Sequence, residues 1–160
     1  MYDDIVEISG IEVIGVSVET SNQIEATEDG RIVGLYEQFI SEEISEKILA
    51  KVDDRIVALY TNYEDGESGY YTYAIGHQVQ DPEDMPIDCE IFDIPPGKYL
   101  HFPTERGPVN LVLARAWQEI WRRTQAGTLG AERAYTTDFE FHSYDRSDED
   151  VQVDIYISIL

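Results

Sequence analysis

Aromatic side chains carry the clearest chemical signal in this chain. Eleven tyrosines and two tryptophans occur in 160 residues. A correctly placed ring contributes roughly 0.5–2 kcal/mol of cation–π attraction, so such a set can build a box for a cation. Trp117 and Trp121 are four apart and share one face of a helix. Tyr36 and Phe39 fall at helical spacing, while Tyr71, Tyr73 and Tyr99 lie in strand-like segments. These seven residues are the candidate walls of a site for a flat, amphipathic cation. The competing reading is core alone, because aromatics at helical spacing ordinarily pack inward. A carboxylate buried beside them would need a partner, and a cationic ligand can supply it.

Other chemistries find little support. His77, His101 and His142 are far apart, with no ligand-spaced pair, so no metal site is expected. Asp145, Asp148, Glu149 and Asp150 have the composition of a calcium loop but lack its glycine and its spaced terminal glutamate. They read as a solvated turn. No glycine-rich phosphate loop joins a strand to a helix, and there is no Gly-x-Ser-x-Gly elbow. The lone Cys89 lies between Asp88 and Glu90, which do not activate a thiol. No catalytic residue and no cofactor are expected.

The charge balance is extreme, with 33 acids against 11 bases and a net charge of −22. Such a surface repels phosphates, so direct nucleic-acid binding is not expected. Three readings remain: a solvated acidic exterior, a field that concentrates cationic ligands, or an imitation of DNA for a basic protein partner. A hydrophobic content of 42% is that of a globular chain, and no run approaches the ~18–20 apolar residues of a membrane span. The N-terminus has no signal-peptide pattern and one cysteine excludes an internal disulfide. The expected compartment is the cytoplasm, and the expected state a monomer or homodimer.

The elements that must position these residues occur twice. One domain over 1–160 is expected, with a first unit at about 10–79, a linker at about 80–88 and a second unit at about 89–160. Each reads strand, helix, strand, strand. In the first, Ile11 to Glu19 alternates as a strand, Ser21 to Asp29 is a polar loop, and Ile32, Leu35, Tyr36, Phe39 and Ile40 form a helical stripe. Ile44 and Ile48 extend it, and two strands follow at 55–63 and 70–79. In the second, Pro95-Pro96-Gly97 breaks a strand over 89–102. Pro108 suits a helix start, and Val109, Val112, Leu113, Ala116, Trp117, Ile120 and Trp121 make the strongest stripe in the chain. Strands at 135–144 and 151–159 complete it. The fold class is therefore α+β: two pseudo-symmetric units, one antiparallel sheet, two main helices and a groove between them.

Several stretches together carry a family resemblance: Ile94-Pro95-Pro96-Gly97-Lys98-Tyr99, Gly107, the Trp-rich helix, Asp138-Phe139-Glu140-Phe141, Leu59-Tyr60-Thr61-Asn62-Tyr63-Glu64 and Tyr71-Thr72-Tyr73-Ala74-Ile75-Gly76. In order and spacing they resemble the effector-binding superfamily of gyrase-inhibitor-like proteins and of the sensing domains of AraC- and MerR-type regulators. The resemblance implies a ligand groove between the helices, cationic or amphipathic ligands, and a glutamate of the second unit facing them, here Glu140. Alternation groups Glu140 with Asp138 and His142, opposite Phe139 and Phe141. Glu140 reaches the groove if the helices cover that face or a bulge re-aims it. No helix-turn-helix is expected within these 160 residues. The leading expectation is a stand-alone small-molecule binding protein, a possible effector sensor in transcription regulation. The alternatives are an acidic protein-interaction module of gyrase-inhibitor type and a hydrolase of strained-ring alkylating compounds, with Glu140 and Tyr71 or Tyr99 as its acid–base pair.

Overall fold

The computed structural model of the chain describes residues 4–80, 82, 85–142 and 149–160. The first half comprises β1 (Asp4–Ile8), β2 (Ile11–Ser21), α1 (Asn22–Glu25), α2 (Ile32–Ser41), α3 (Ile44–Lys47), β3 (Ile56–Thr61) and β4 (Tyr70–Gln78). The second comprises β5 (Glu90–Ile94), β6 (Gly97–Pro103), α4 (Val109–Ala126), β7 (Thr137–His142) and β8 (Asp154–Ser158). All eight strands join one antiparallel sheet in the order β1-β6-β8-β7-β3-β4-β2-β5. The two strand-helix-strand-strand units are plain in that order: β6-β8-β7 meets β3-β4-β2 at the central β7–β3 pair. The polar segment after Ser21 is not all loop. Ser21 caps the single turn of α1 by accepting the Ile24 N–H at 3.1 Å, a frequent role of serine that leaves no apolar period to read.

Each unit lends its leading strand to the other. β1 precedes β2 in sequence but pairs with β6, and β5 precedes β6 but pairs with β2. Only Ser9 and Gly10 join β1 to β2, and only Pro95 and Pro96 join β5 to β6. Such short links reach roughly 10 Å, so the sheet curls until its ends approach. The two links meet: a Cβ on Gly10, whose φ is +107°, would lie 3.6 Å from the Pro96 ring. Gly15 and Gly76 face each other across β2 and β4. A Cβ on either would fall onto the carbonyl of Ile75 or Ile14, so this close approach requires glycine.

The curl creates two surfaces. The inner one buries Val13, Val57, Leu59, Ala74, Ile94, Tyr99 and Phe139, with Val6, Phe92 and Tyr156 packed against them, so every strand contributes. The outer one carries the helices. Leu35 and Phe39 of α2 and Ile44 of α3 cover Ile14, Val16, Ile56 and Ile75. Ala116, Trp117 and Ile120 of α4 cover Leu100, Phe102, Ile155 and Ile157. Tyr60 belongs to both outer clusters and marks the seam between the helices. Val153, Ile155, Ile157 and Ile159 share the face under α4, as alternation requires, although the regular strand is shorter than the 151–159 stretch.

Candidate functional site

Strand β7 places two acids on the helix-covered surface. Phe139 and Phe141 turn inward, where both rings contact Tyr156. Asp138, Glu140 and His142 therefore turn outward without a bulge. Both carboxylates belong to residues of 0% exposure. Ala58 of β3 lies opposite Glu140, and its short side chain leaves room for the carboxylate.

Glu140 is held by three rings. Its Oε2 accepts the Tyr60 hydroxyl at 2.7 Å and the Trp117 indole N–H at 2.7 Å. Its Oε1 takes the Nε2–H of His142 at 2.6 Å. Burial first, and then the Glu140 carboxylate, pushes the Tyr60 hydroxyl well above its ordinary value, so Tyr60 stays a donor. Each bond draws electron density from the carboxylate toward the donor ring. The faces of Tyr60 and Trp117 are thereby more attractive to a cation. The carboxylate also acts directly: at roughly 6 Å and an effective dielectric of about 20, opposite charges attract by about 3 kcal/mol.

Above these rings lies a groove of about 480 Å³ between α2 and α4, within the usual range for small-molecule sites. Trp117, Trp121 and Leu113 form its α4 wall, Ile32 and Val33 its α2 wall, and Tyr60, Tyr63 and Tyr71 its floor. The aromatic surface is continuous. Trp121 neighbours Trp117 with centroids 6.2 Å apart, Trp117 neighbours Tyr60 at 5.0 Å, Tyr60 neighbours Tyr71 at 5.7 Å, and Tyr71 neighbours Tyr63 at 5.8 Å.

The residues singled out from sequence divide into three groups. Trp117, Trp121 and Tyr71 line the groove. Glu140 does not; it lies beneath, sealed by Tyr60 and Trp117. The other four are elsewhere. Tyr99 is on the inner surface, donating to the Pro95 carbonyl at 2.6 Å and packing on Phe139, because its parity along β6 is inward. Phe39 packs under α2 against His77. Tyr73 donates to the Tyr36 hydroxyl at 3.0 Å, and this pair backs the floor behind Tyr60 without lining the groove. The acid–base pair of Glu140 with Tyr71 or Tyr99 is not formed, since Tyr71 donates to Asn22 at 3.2 Å and Tyr99 faces away.

Asp138 is managed differently. Its Oδ2 accepts Arg133 Nη2 at 2.7 Å and the Tyr63 hydroxyl at 2.6 Å, and its Oδ1 accepts the Ser158 N–H at 2.8 Å. Arg133 also reaches Glu67 at 3.1 Å and lies over the Tyr135 ring. Tyr60, His142, Glu25 and Arg133 were not among the sequence candidates. Tyr60 stands opposite Asp138 in the register and reaches Glu140 on the diagonal, a contact that only the pairing of β3 with β7 reveals. Alternation groups His142 with Glu140, but nothing in the sequence signals the hydrogen bond between them. Among the described residues no group of three or more His, Cys, Asp or Glu is placed to hold a metal ion. Asp145 and Asp148 of the acidic turn lie outside the described residues. No described helix is long and apolar enough to cross a membrane.

Known proteins resemble this chain in sequence and in fold. The model of the Cass2 family, integron-associated effector binding proteins, matches residues 4–159. The Bacillus subtilis (strain 168) protein YobU, whose name marks it provisionally as a transcriptional regulator, is 33% identical over 147 residues, covering 91% of this chain and 89% of its own. The Vibrio cholerae integron cassette protein VCH_CASS2 superposes with a TM-score of 0.76 at 29% identity, over 99% of this chain and 95% of that one. The structure of SAV2435 bound to tetraphenylphosphonium superposes with a TM-score of 0.79 at 18% identity, over 100% and 94% of the two chains. At that identity the likeness is one of fold.

Proposed function

This chain belongs to the Cass2 family of integron-associated effector-binding proteins, and from that premise we propose that it binds a flat or globular amphipathic cation in the groove between α2 and α4, the whole chain acting as one sensing domain. The observation that carries the reading is Glu140. It is a fully buried carboxylate whose donors are a phenol, an indole and an imidazole, set beneath an aromatic groove. A ligand cation over Tyr60 and Trp117 supplies the missing counter-charge. Tetraphenylphosphonium in SAV2435 supports the ligand class, and the name of YobU supports a role as an effector sensor in transcription regulation.

Calorimetric titration with tetraphenylphosphonium tests the reading. The wild-type protein is expected to bind one equivalent saturably and to retain most of its affinity in 0.5 M salt, because a buried charge is screened little. Glu140→Gln should weaken binding at least tenfold. Equal affinity in wild type and variant would end the proposal. The net charge of −22 supports a second reading, docking to a basic protein as a gyrase-inhibitor-type module. In that case a pull-down of the partner is competed by DNA and is indifferent to Glu140→Gln. The hydrolase reading finds no support in the site, because Glu140 is wholly buried beneath Tyr60 and Trp117 and does not line the groove.

A further inference from the structure

We propose that the groove is built for a two-headed cation: a lipophilic onium centre over Tyr60 and Trp117, and a second, N–H-bearing ammonium or amidinium group against Glu25. This rests on the reading that the groove takes a cation at all. The two carboxylates differ in access. Glu140 is sealed and both its oxygens already hold donors, so a ligand meets only the ring faces above it. Ring faces attract charge without needing a hydrogen-bond donor. That end suits a quaternary ammonium or phosphonium.

Glu25, at the end of α1, is half-buried and lines the same groove. Its Oε2 accepts the Thr20 hydroxyl at 2.5 Å and the Arg31 N–H at 2.7 Å, while its Oε1 accepts only the Ile32 N–H at 3.2 Å. All three donors are neutral. A carboxylate offers about four acceptor positions, so one on Oε1 is left for a ligand N–H. Tyr71 lies in the same groove and senses both acids: burial raises its hydroxyl, and the charges of Glu25 and then Glu140 raise it further. The local charge points the same way. Glu25 and Glu67 line the groove and Asp138 and Glu140 lie under it, against Arg133, which engages Glu67 and Asp138, and the His142 imidazole, which engages Glu140. A monocation leaves this excess of negative charge unanswered.

The test compares ω-aminoalkyl-triphenylphosphonium with alkyl-triphenylphosphonium of equal length, over spacers of two to six methylenes, by calorimetry at pH 7. At one spacer length or more the amino compound should bind roughly tenfold tighter, as expected for one added charged hydrogen bond. Glu25→Gln removes the charge and keeps one of the two oxygens, enough to accept from the Arg31 N–H or the Ile32 N–H but not from both. It should erase that advantage, leaving the amino and alkyl compounds of each length within about threefold of one another. N-acetylation of the amine, which keeps an N–H but removes the charge, should erase the advantage on the wild-type protein, a result independent of how any variant folds. If no spacer gives an advantage, or the advantage survives acetylation, the second subsite is wrong while the monocation site stands. If the alkyl compounds themselves do not bind, the underlying reading falls with it.

Discussion

Asp138 and Glu140 are two residues apart on one strand, on one face, and both are wholly buried. They differ in what answers their charge. Asp138 has a permanent cation, Arg133, and backbone and hydroxyl donors besides. Glu140 has neutral phenol and indole donors and one imidazole. A buried ion is expensive unless paired, so the first is a finished structural element and the second is an incomplete one. Burial alone does not mark a ligand site; the chemistry of the donors does.

The sharpest way to break this contrast is to remove each acid in turn. Asp138→Asn strands Arg133 with Glu67 alone and should cost about 3–5 kcal/mol of stability, read as a lowered urea midpoint. Glu140→Gln should leave stability within about 1 kcal/mol of wild type, since it removes a buried charge that has no permanent cation. Its loss should appear instead in tetraphenylphosphonium affinity, tenfold to a hundredfold, or about 1.4–2.8 kcal/mol. If both variants lose stability equally, the distinction between the acids is mistaken.

The tyrosines sharpen the comparison at smaller scale. Tyr60→Phe keeps the ring but deletes a donor to Glu140, and should weaken cation binding about threefold, well under the net worth of a hydrogen bond to a charged group. Tyr63→Phe, which deletes a donor to Asp138, should leave affinity unchanged and lower the thermal midpoint by a few degrees. The same titration and melt, run on both variants, decide the matter. His77 provides the smallest expected effect and a third solution. Its ring is bonded to Ser45 and to the Arg55 carbonyl, and burial holds its pKa below the ordinary value. Near pH 6.5 the unfolded chain takes up a proton that the folded chain refuses. This contribution is therefore intact above about pH 6.5 and lost as pH falls toward the folded value. Stability should accordingly fall between pH 7 and 6, and His77→Gln should flatten that limb of the stability curve.

The architecture was legible because its signals are local. The α4 stripe from Val109 to Trp121, the Pro95-Pro96-Gly97 break and the alternation of β8 each lie within one stretch of chain. Alternation even grouped Asp138, Glu140 and His142 on one face. What it could not supply was the cross-strand register. Tyr60 meets Glu140 only because β3 and β7 pair at the seam, and no short-range pattern encodes a partner 80 residues away. The same gap misplaced Tyr99, whose inward parity depends on how β6 sits in the curl. Phe39 lies off the groove for a different reason: the α2 stripe is one continuous apolar face, and periodicity does not say which part overlies the sheet and which borders the opening. Glu25 was hidden in a polar segment whose short helix is defined by its Ser21 cap.

The exchange of β1 and β5 between units has a mechanical consequence. Neither half can be lifted away from the other without stripping a strand from each outer edge. A nick between β4 and β5 should therefore leave two fragments clasped together like hooked fingers. By the same logic, neither half could complete its own sheet edge if cut free, because the arm that covers it belongs to the other half.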